Sequence, residues 1–251
     1  LAWGVAGVLA VLALALALRE RAPPPPAPDT ASAPTVKAEA PPAVPYLPGE
    51  ELPARIALAG PSPQPAWGQL LGLWTVRANE TTVDRAQACP PVLAPGLYCQ
   101  RGRAGLDKLA ALGRPSLLRL RADGHEAWAL LLGADALRVR LWLGGGRFDT
   151  DRLALERAWD GEYAVLWRAP DDVVAPITAA SPPAAVAWVR DGLAPQYLAK
   201  DAPATLDAAM REAVLRFQRD RGLAADGVVG PETLMARAAH DPGPRLRTAL
   251  E

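Results

Sequence analysis

The chain begins with an unbroken apolar run, Leu1 to Leu18 (LAWGVAGVLAVLALALAL). As a helix rising about 1.5 Å per residue, such a run covers most of a roughly 30 Å hydrocarbon core, which predicts a transmembrane helix over residues 1–21. A signal-peptide core is the competing expectation, because Ala13, Ala15 and Ala17 imitate a cleavage site. Periodicity then disappears. From Ala22 to Ala66 the aliphatic residues follow neither a helical nor a strand repeat, and 14 of the 27 prolines fall there, so residues 22–66 are expected to be a linker with no core of their own. Such a linker reaches about 40 Å as a flexible coil and about 140 Å as polyproline II.

Pattern returns at Trp67. Trp67, Leu70, Leu71 and Trp74 share one helical face, and Leu106, Leu109, Ala110 and Leu112 define a second short helix that Gly113 stops. Apolar strand-like runs follow at Ser116 to Leu120, Ala127 to Leu132 and Arg138 to Leu143, punctuated by Asp123-Gly124 and by Gly144-Gly145-Gly146. These predict an antiparallel meander. Asp149 or Thr150 is expected to cap a helix through Leu153, Leu155 and Trp159, with a last strand from Tyr163 to Trp167. Residues 67–170 are therefore expected to be an α+β domain with a small antiparallel sheet.

After a linker at 171–183, residues 184–239 change to helical periods only. Val186, Val189 and Leu193 lie on one face; Leu206, Met210, Val214 and Phe217 lie on another; a third helix starts at Pro231. The interval Gly222 to Gly230 holds Asp226-Gly227 and a further glycine, which predicts two tight turns. Residues 184–239 read as a small three-helix module, and 240–251 as a tail in which His240 is solvated.

Charge removes some function classes. Lys+Arg 27 balances Asp+Glu 27, and there is no basic cluster, so the footprint that nucleic acid requires is missing. Two histidines and two cysteines, without CxxC or HExxH spacing, argue against a metal centre. No cofactor is expected. Within 184–239 seven basic residues meet seven acidic ones, so any polymer it binds must be held by a shaped groove and not by bulk charge.

The stretch AVLRFQRDRGLAADGVVGPETL, Ala213 to Leu234, carries an apolar helix face, a glycine stop, an Asp-Gly turn and a helix restart at fixed spacing. It closely resembles the peptidoglycan-binding domain of bacterial cell-wall proteins. By mechanics alone Phe217 is core, Gly222 ends a helix, Gly227 and Gly230 allow bends and Thr233 braces the third helix. The residues expected to meet peptidoglycan are Asp226, Gly227, Gly230 and Thr233. The middle region, through Leu70-Leu71-Gly72-Leu73-Trp74, Gly96-Leu97-Tyr98-Cys99, Arg114-Pro115-Ser116-Leu117-Leu118 and Trp159 to Arg168, resembles the papain-like, C39-peptidase-like periplasmic region of the general secretion pathway protein A family. That resemblance implies an inner-membrane protein with one span and its C-terminal part in the periplasm, which assists assembly of the type II secretion secretin. Its partners would be peptidoglycan, the inner membrane, a secretion protein and further copies of itself. It also implies an ATPase domain, for which no phosphate loop occurs in these residues, so such a domain is expected upstream of Leu1.

Whether the middle domain is an enzyme turns on Cys89 and His125. A cysteine peptidase needs a thiolate, a histidine, an orienting group and oxyanion donors. Pro90 and Pro91 were they to begin a helix would place its positive end near Cys89, and His125 precedes an apolar strand, yet the glutamine and Asp-Pro elements of active C39 peptidases are absent. The alternative is a Cys89–Cys99 disulfide in an oxidising compartment. The expectation is a non-catalytic, membrane-tethered, wall-binding assembly factor; its rivals are a periplasmic C39-like cysteine peptidase on a wall anchor and a free periplasmic wall-binding protein.

Overall fold

Residues 43–250 are described by the structure, a computed structural model. The expected transmembrane helix and residues 22–42 of the expected linker lie outside the described residues. Among the described residues no helix is long and apolar enough to cross a membrane.

One antiparallel sheet organises the chain. Its strands are β1 (Val92–Ala94), β2 (Leu97–Arg103), β3 (Ser116–Ala122), β4 (His125–Ala134), β5 (Arg138–Leu143), β6 (Gly146–Asp151) and β7 (Trp159–Arg168), in the order β1-β2-β7-β3-β4-β5-β6. The predicted meander is β3-β4-β5, and it runs on into β6. At seven strands the sheet is larger than expected, because β1 is only three residues long and β2 and β6 carry too many polar residues for their apolar positions to stand out. Both faces are covered, so alternate residues of β4 enter different cores: Ala127, Ala129 and Leu131 one, Leu130 the other. That is why the central strands look like continuous apolar runs in sequence. At the β3–β4 hairpin Asp123 and Gly124 both take positive φ, +50° and +78°, the conformation that an Asp-Gly pair favours in a two-residue hairpin.

One face is packed by α2 (Gln64–Leu73) and α3 (Val83–Ala88), with Trp67, Leu70, Leu71 and Trp74 buried as their common helical face predicts. The other is packed by α1 (Leu52–Ala59), α4 (Leu106–Leu112) and α5 (Arg152–Ala158). Helix α1 corrects the expected linker of residues 22–66, whose part from Pro45 onward is bound to the sheet unit. Leu52 and Ile56, four residues apart, are both buried in the main core, and Pro53 sits at the helix start where its missing N–H costs nothing. Upstream, Leu47 N–H donates to Asp149 O (2.8 Å) and Asp149 N–H to Pro45 O (2.9 Å), so this segment lies along the β6 edge. Asp149 consequently is not a helix cap: it belongs to β6, where its carboxylate receives Arg140 at 2.6 and 2.8 Å. The helix starts later, after Asp151.

The module is α6 (Pro183–Leu193), α7 (Ala208–Asp220) and α8 (Pro231–Ala238). It shares one apolar cluster with the sheet. Residues 171–183 are likewise not a free linker, since Val173 and Ile177 are buried and Ile177 N–H donates to Val229 O at 3.0 Å. Nor is 240–251 a solvated tail. Leu246 and Leu250 are buried, and Arg247 bonds through its backbone to Leu132 O (3.0 Å) and Ala134 N (2.8 Å) at the end of β4. A Cβ on Gly133 would lie 2.7 Å from Leu250 Cδ2, so the glycine in the strand makes room for the returning chain. His240 itself is exposed, as expected, and lies against Arg221.

Candidate peptidoglycan-binding site

Helix α7 ends as its glycine predicts. Gly222 takes φ +63°, and Leu223 N–H donates to Gln218 O at 2.9 Å across the helix terminus. The following turn is organised by Gln218, whose role sequence reasoning missed. This side chain is buried. Its Nε2 donates to Asp226 Oδ1 (2.9 Å), Val228 O (2.9 Å) and Thr233 Oγ1 (3.0 Å), while its Oε1 accepts from Gly227 N–H (2.9 Å). The signal was a glutamine directly after a core phenylalanine: a polar group at a buried helical position needs partners, and the turn supplies them.

This lattice redistributes the expected ligand contacts. Thr233 is buried and donates to Val228 O at 3.2 Å, so its hydroxyl braces the turn and does not face outward. Asp226 is exposed, but one oxygen receives Val228 N–H at 2.8 Å. That bond first, and the Gln218 amide second, hold its carboxyl below the usual carboxylate range. Gly227 needs its φ of +72°. Gly230 does not bend the chain as expected: its φ is −88°, it is the N-cap of α8, and a Cβ there would meet nothing within 4 Å.

Beside the turn lies a groove of about 370 Å³, within the size range of small-ligand sites. Gly227 and Val228 line one wall, the start of α7 from Asp207 to Val214 another, and Pro176 to Thr178 a third. Of the four expected site residues the structure brings only Gly227 to it. A larger hollow, about 1000 Å³, opens on the sheet between Gly49, α5 and the β3–β4 hairpin. It contains none of the motif residues, so the smaller groove is the candidate site.

Cys89 and Cys99 are joined by a disulfide, their Cα atoms 5.3 Å apart. Cys89 lies at the carbonyl end of α3, and Pro90-Pro91 lead into a strand, contrary to the expected helix start. His125 is exposed at the β3–β4 hairpin. Cys99 pairs with Leu166, next to the Val165–Ser116 pair, whereas His125 pairs with Ala122. From Ser116 to Ala122 a strand rises roughly 20 Å. The two candidate catalytic residues are not brought together. Among the described residues no group of three or more His, Cys, Asp or Glu is placed to hold a metal ion.

Residues 183–236 match the family described as "Putative peptidoglycan binding domain", so two of the groove's three walls belong to such a module, carried on an antiparallel α+β sheet unit. General secretion pathway protein A of Aeromonas hydrophila is 30% identical over 218 residues, covering 85% of this chain and 39% of that protein. A "Putative general secretion pathway protein A" of Escherichia coli (strain K12) is 25% identical over 167 residues, 66% of this chain and 33% of that protein. Among solved structures, a periplasmic domain of the EpsAB fusion protein of the Vibrio vulnificus type II secretion system is 22% identical, covers 76% of this chain and 95% of its own, and has a TM-score of 0.48. The N-terminal peptidase C39 like domain of a toxin secretion ATP-binding protein from Vibrio parahaemolyticus is 18% identical, with 47% and 97% covered and a TM-score of 0.29. The chain belongs to the general secretion pathway protein A family, and it spans less than two fifths of the length of the curated relatives it matches.

Proposed function

We propose that this chain is a wall-binding assembly factor of a type II secretion system, tethered to the inner membrane by residues 1–21, with residues 43–250 in the periplasm. The module holds peptidoglycan, and the sheet unit, a C39-like scaffold without catalytic activity, offers its surface to secretion partners that include the secretin. The observation that carries the reading is the groove of about 370 Å³ beside the Asp226-Gly227 turn, two of whose three walls come from the matched peptidoglycan-binding domain. The non-catalytic part is supported by the consumption of both cysteines in a disulfide and by the distance between that disulfide and His125. Co-sedimentation of the full chain with purified sacculi tests the reading, with released muropeptides followed in parallel. Sedimentation without release is expected; failure to sediment removes the wall-binding role, and release of muropeptides restores an enzyme.

A further inference from the structure

The groove has a composition that selects among the parts of peptidoglycan. Its base is apolar: Met210, Val214, Val229 and Ile177 are all buried. Its rim is apolar too, with Val228 50% and Leu206 36% exposed. No aromatic side chain lines it, so it lacks the flat ring on which a sugar stacks. A glycan strand therefore finds little there, while the small methyl groups of a peptide find a matching surface.

Two charged residues line the groove, Asp207 and Arg211. Asp207 is engaged in the fold, one oxygen capping α7 through Met210 N–H (2.8 Å) and the other receiving the Thr205 hydroxyl (3.2 Å). Arg211 is different. Among the described residues its guanidinium forms no hydrogen bond and no ion pair, and its charge only helps, as a lesser cause, to hold the Asp226 carboxyl down; away from the groove, Arg216 and Arg237 of the same module are hydrogen-bonded. Its stem crosses the turn: a Cβ on Gly227 would lie 2.9 Å from Arg211 Cγ and 3.0 Å from its Nε. Glycine at 227 thus has a second reason beyond its positive φ, namely that the arginine lies where a side chain would go.

We infer that Arg211 receives a free carboxylate of the murein peptide stem, with the stem's alanine methyl groups on the Met210–Val214–Ile177 floor. This rests on the wall-binding reading above and adds its substrate class, the acyl peptide and not the glycan. It also assigns a role to Pro176-Ile177-Thr178, which lies outside the matched domain 183–236 yet forms the third wall through the Ile177–Val229 bridge. Guanidinium and carboxylate match in charge and in planar two-pronged geometry.

The test uses the full chain in mild detergent, as wild type, Arg211→Gln and Arg211→Lys, sedimented with three substrates: untreated sacculi, sacculi whose carboxyl groups have been converted to amides, and stem-free glycan strands as competitor. Arg211 is exposed, so the variants should keep the wild-type thermal midpoint. Wild type should lose about tenfold to a hundredfold in affinity on amidated sacculi, the range a charge-assisted hydrogen bond supplies. Arg211→Gln should show that loss on untreated sacculi and no further loss on amidated ones, Arg211→Lys should fall between, and glycan strands should not compete. Equal binding of wild type to both kinds of sacculi, or undiminished binding by Arg211→Gln, overturns the inference while leaving wall binding intact; competition by glycan strands does the same. Absence of wild-type sedimentation with untreated sacculi instead overturns the wall-binding reading itself.

Discussion

Arg114, from the loop before β3, lies 5.2 Å from the centroid of the Trp74 ring and is almost wholly buried. Its guanidinium donates to Pro244 O (2.9 Å), to Asp241 O (3.0 Å) and to Ala238 O. A side chain of the sheet unit therefore caps the carbonyl end of α8 in the wall-binding module, where a cation is favoured by the helix dipole. Lys108 and Glu232, paired at 2.7 Å, bridge α4 and α8 nearby. These contacts and the shared apolar core join the module to the sheet unit.

Arg114→Met should release this cap. It keeps the apolar stem but leaves carbonyl oxygens under an uncharged side chain, at a cost of about 3 kcal/mol. Limited proteolysis should then cut residues 241–250 first, and urea unfolding should shift to lower concentration. An unchanged cleavage pattern would mean that the returning chain is held by buried Leu246 and Leu250 and by the Leu246 and Arg247 backbone bonds without help from Arg114.

The Gln218 lattice changes what the motif residues are expected to do. Gln218→Ala should cost about 2–4 kcal/mol, because Gly227 N–H and the Val228 carbonyl lose their buried partner together. Thr233→Val should cost about 1–2 kcal/mol for the same reason. Gly230→Ala should stay within about 0.5 kcal/mol, since its site is open and its φ is ordinary. Chemical denaturation of the three variants checks the ranking; a Gly230→Ala loss as large as that of Gln218→Ala would contradict the open site. Asp226, with its depressed carboxyl, contributes stability that is fully present above the ordinary carboxylate value and is lost as pH falls from there through its lower folded value.

What the sequence disclosed and withheld follows from how each segment is buried. Helices α7 and α8 were legible because each buries one continuous face, Met210-Val214-Phe217 in the first, and because Gly222 and Pro231 mark an end and a start. Helix α1 was hidden by the prolines around it, with only Leu52 and Ile56 as buried anchors. Strand β2 was hidden for a related reason: its inner half, Leu97 to Cys99, is core, while Gln100 to Arg103 looks like loop. At the site, the motif points to Asp226, Gly227, Gly230 and Thr233, of which the groove contains Gly227; a motif does not say which side of the chain faces ligand. Arg211 lies before the recognisable stretch, and Ile177 comes from a segment with no periodic pattern. Only the fold brings them together.

The Cys89–Cys99 bond closes a loop of 10 residues in sequence separation, tying the end of α3 to a core position of β2. In the chain-entropy model this contributes about 3 kcal/mol, which for a unit of this size corresponds to about 6–12 °C in thermal midpoint. Cys89→Ser with Cys99→Ser, or reduction of the wild type, should lower the midpoint by that amount. Intact-mass measurement before and after reduction should show the gain of two hydrogens, and labelling of the oxidised protein by a thiol reagent would show the bond to be absent.

Tyr163 makes the fold sensitive to alkaline pH. Its ring is buried in the face of β7 that meets the module, and its hydroxyl has no hydrogen-bond partner among the described residues. Burial pushes its pKa up to about 12, and the nearby charge of Glu232 adds to the shift. The unfolded chain ionises this group near pH 10. Because the folded value is raised, the stabilising contribution is complete below about pH 10 and disappears as pH climbs toward about 12, a loss of roughly 2–3 kcal/mol. Tyr163→Phe removes both the titrating group and the unsatisfied hydroxyl. At neutral pH it should therefore be as stable as wild type or slightly more so, and between pH 10 and 12 its stability should fall less steeply by about that amount. Tyr98 and Tyr197 are also shifted upward by burial, but they are common to both proteins and cancel in the difference. Urea unfolding followed by circular dichroism across pH 8–12, together with tyrosinate absorbance, makes the comparison. Parallel curves for the two proteins would show that Tyr163 ionises without opposing the fold, and would place the alkaline sensitivity elsewhere in the chain.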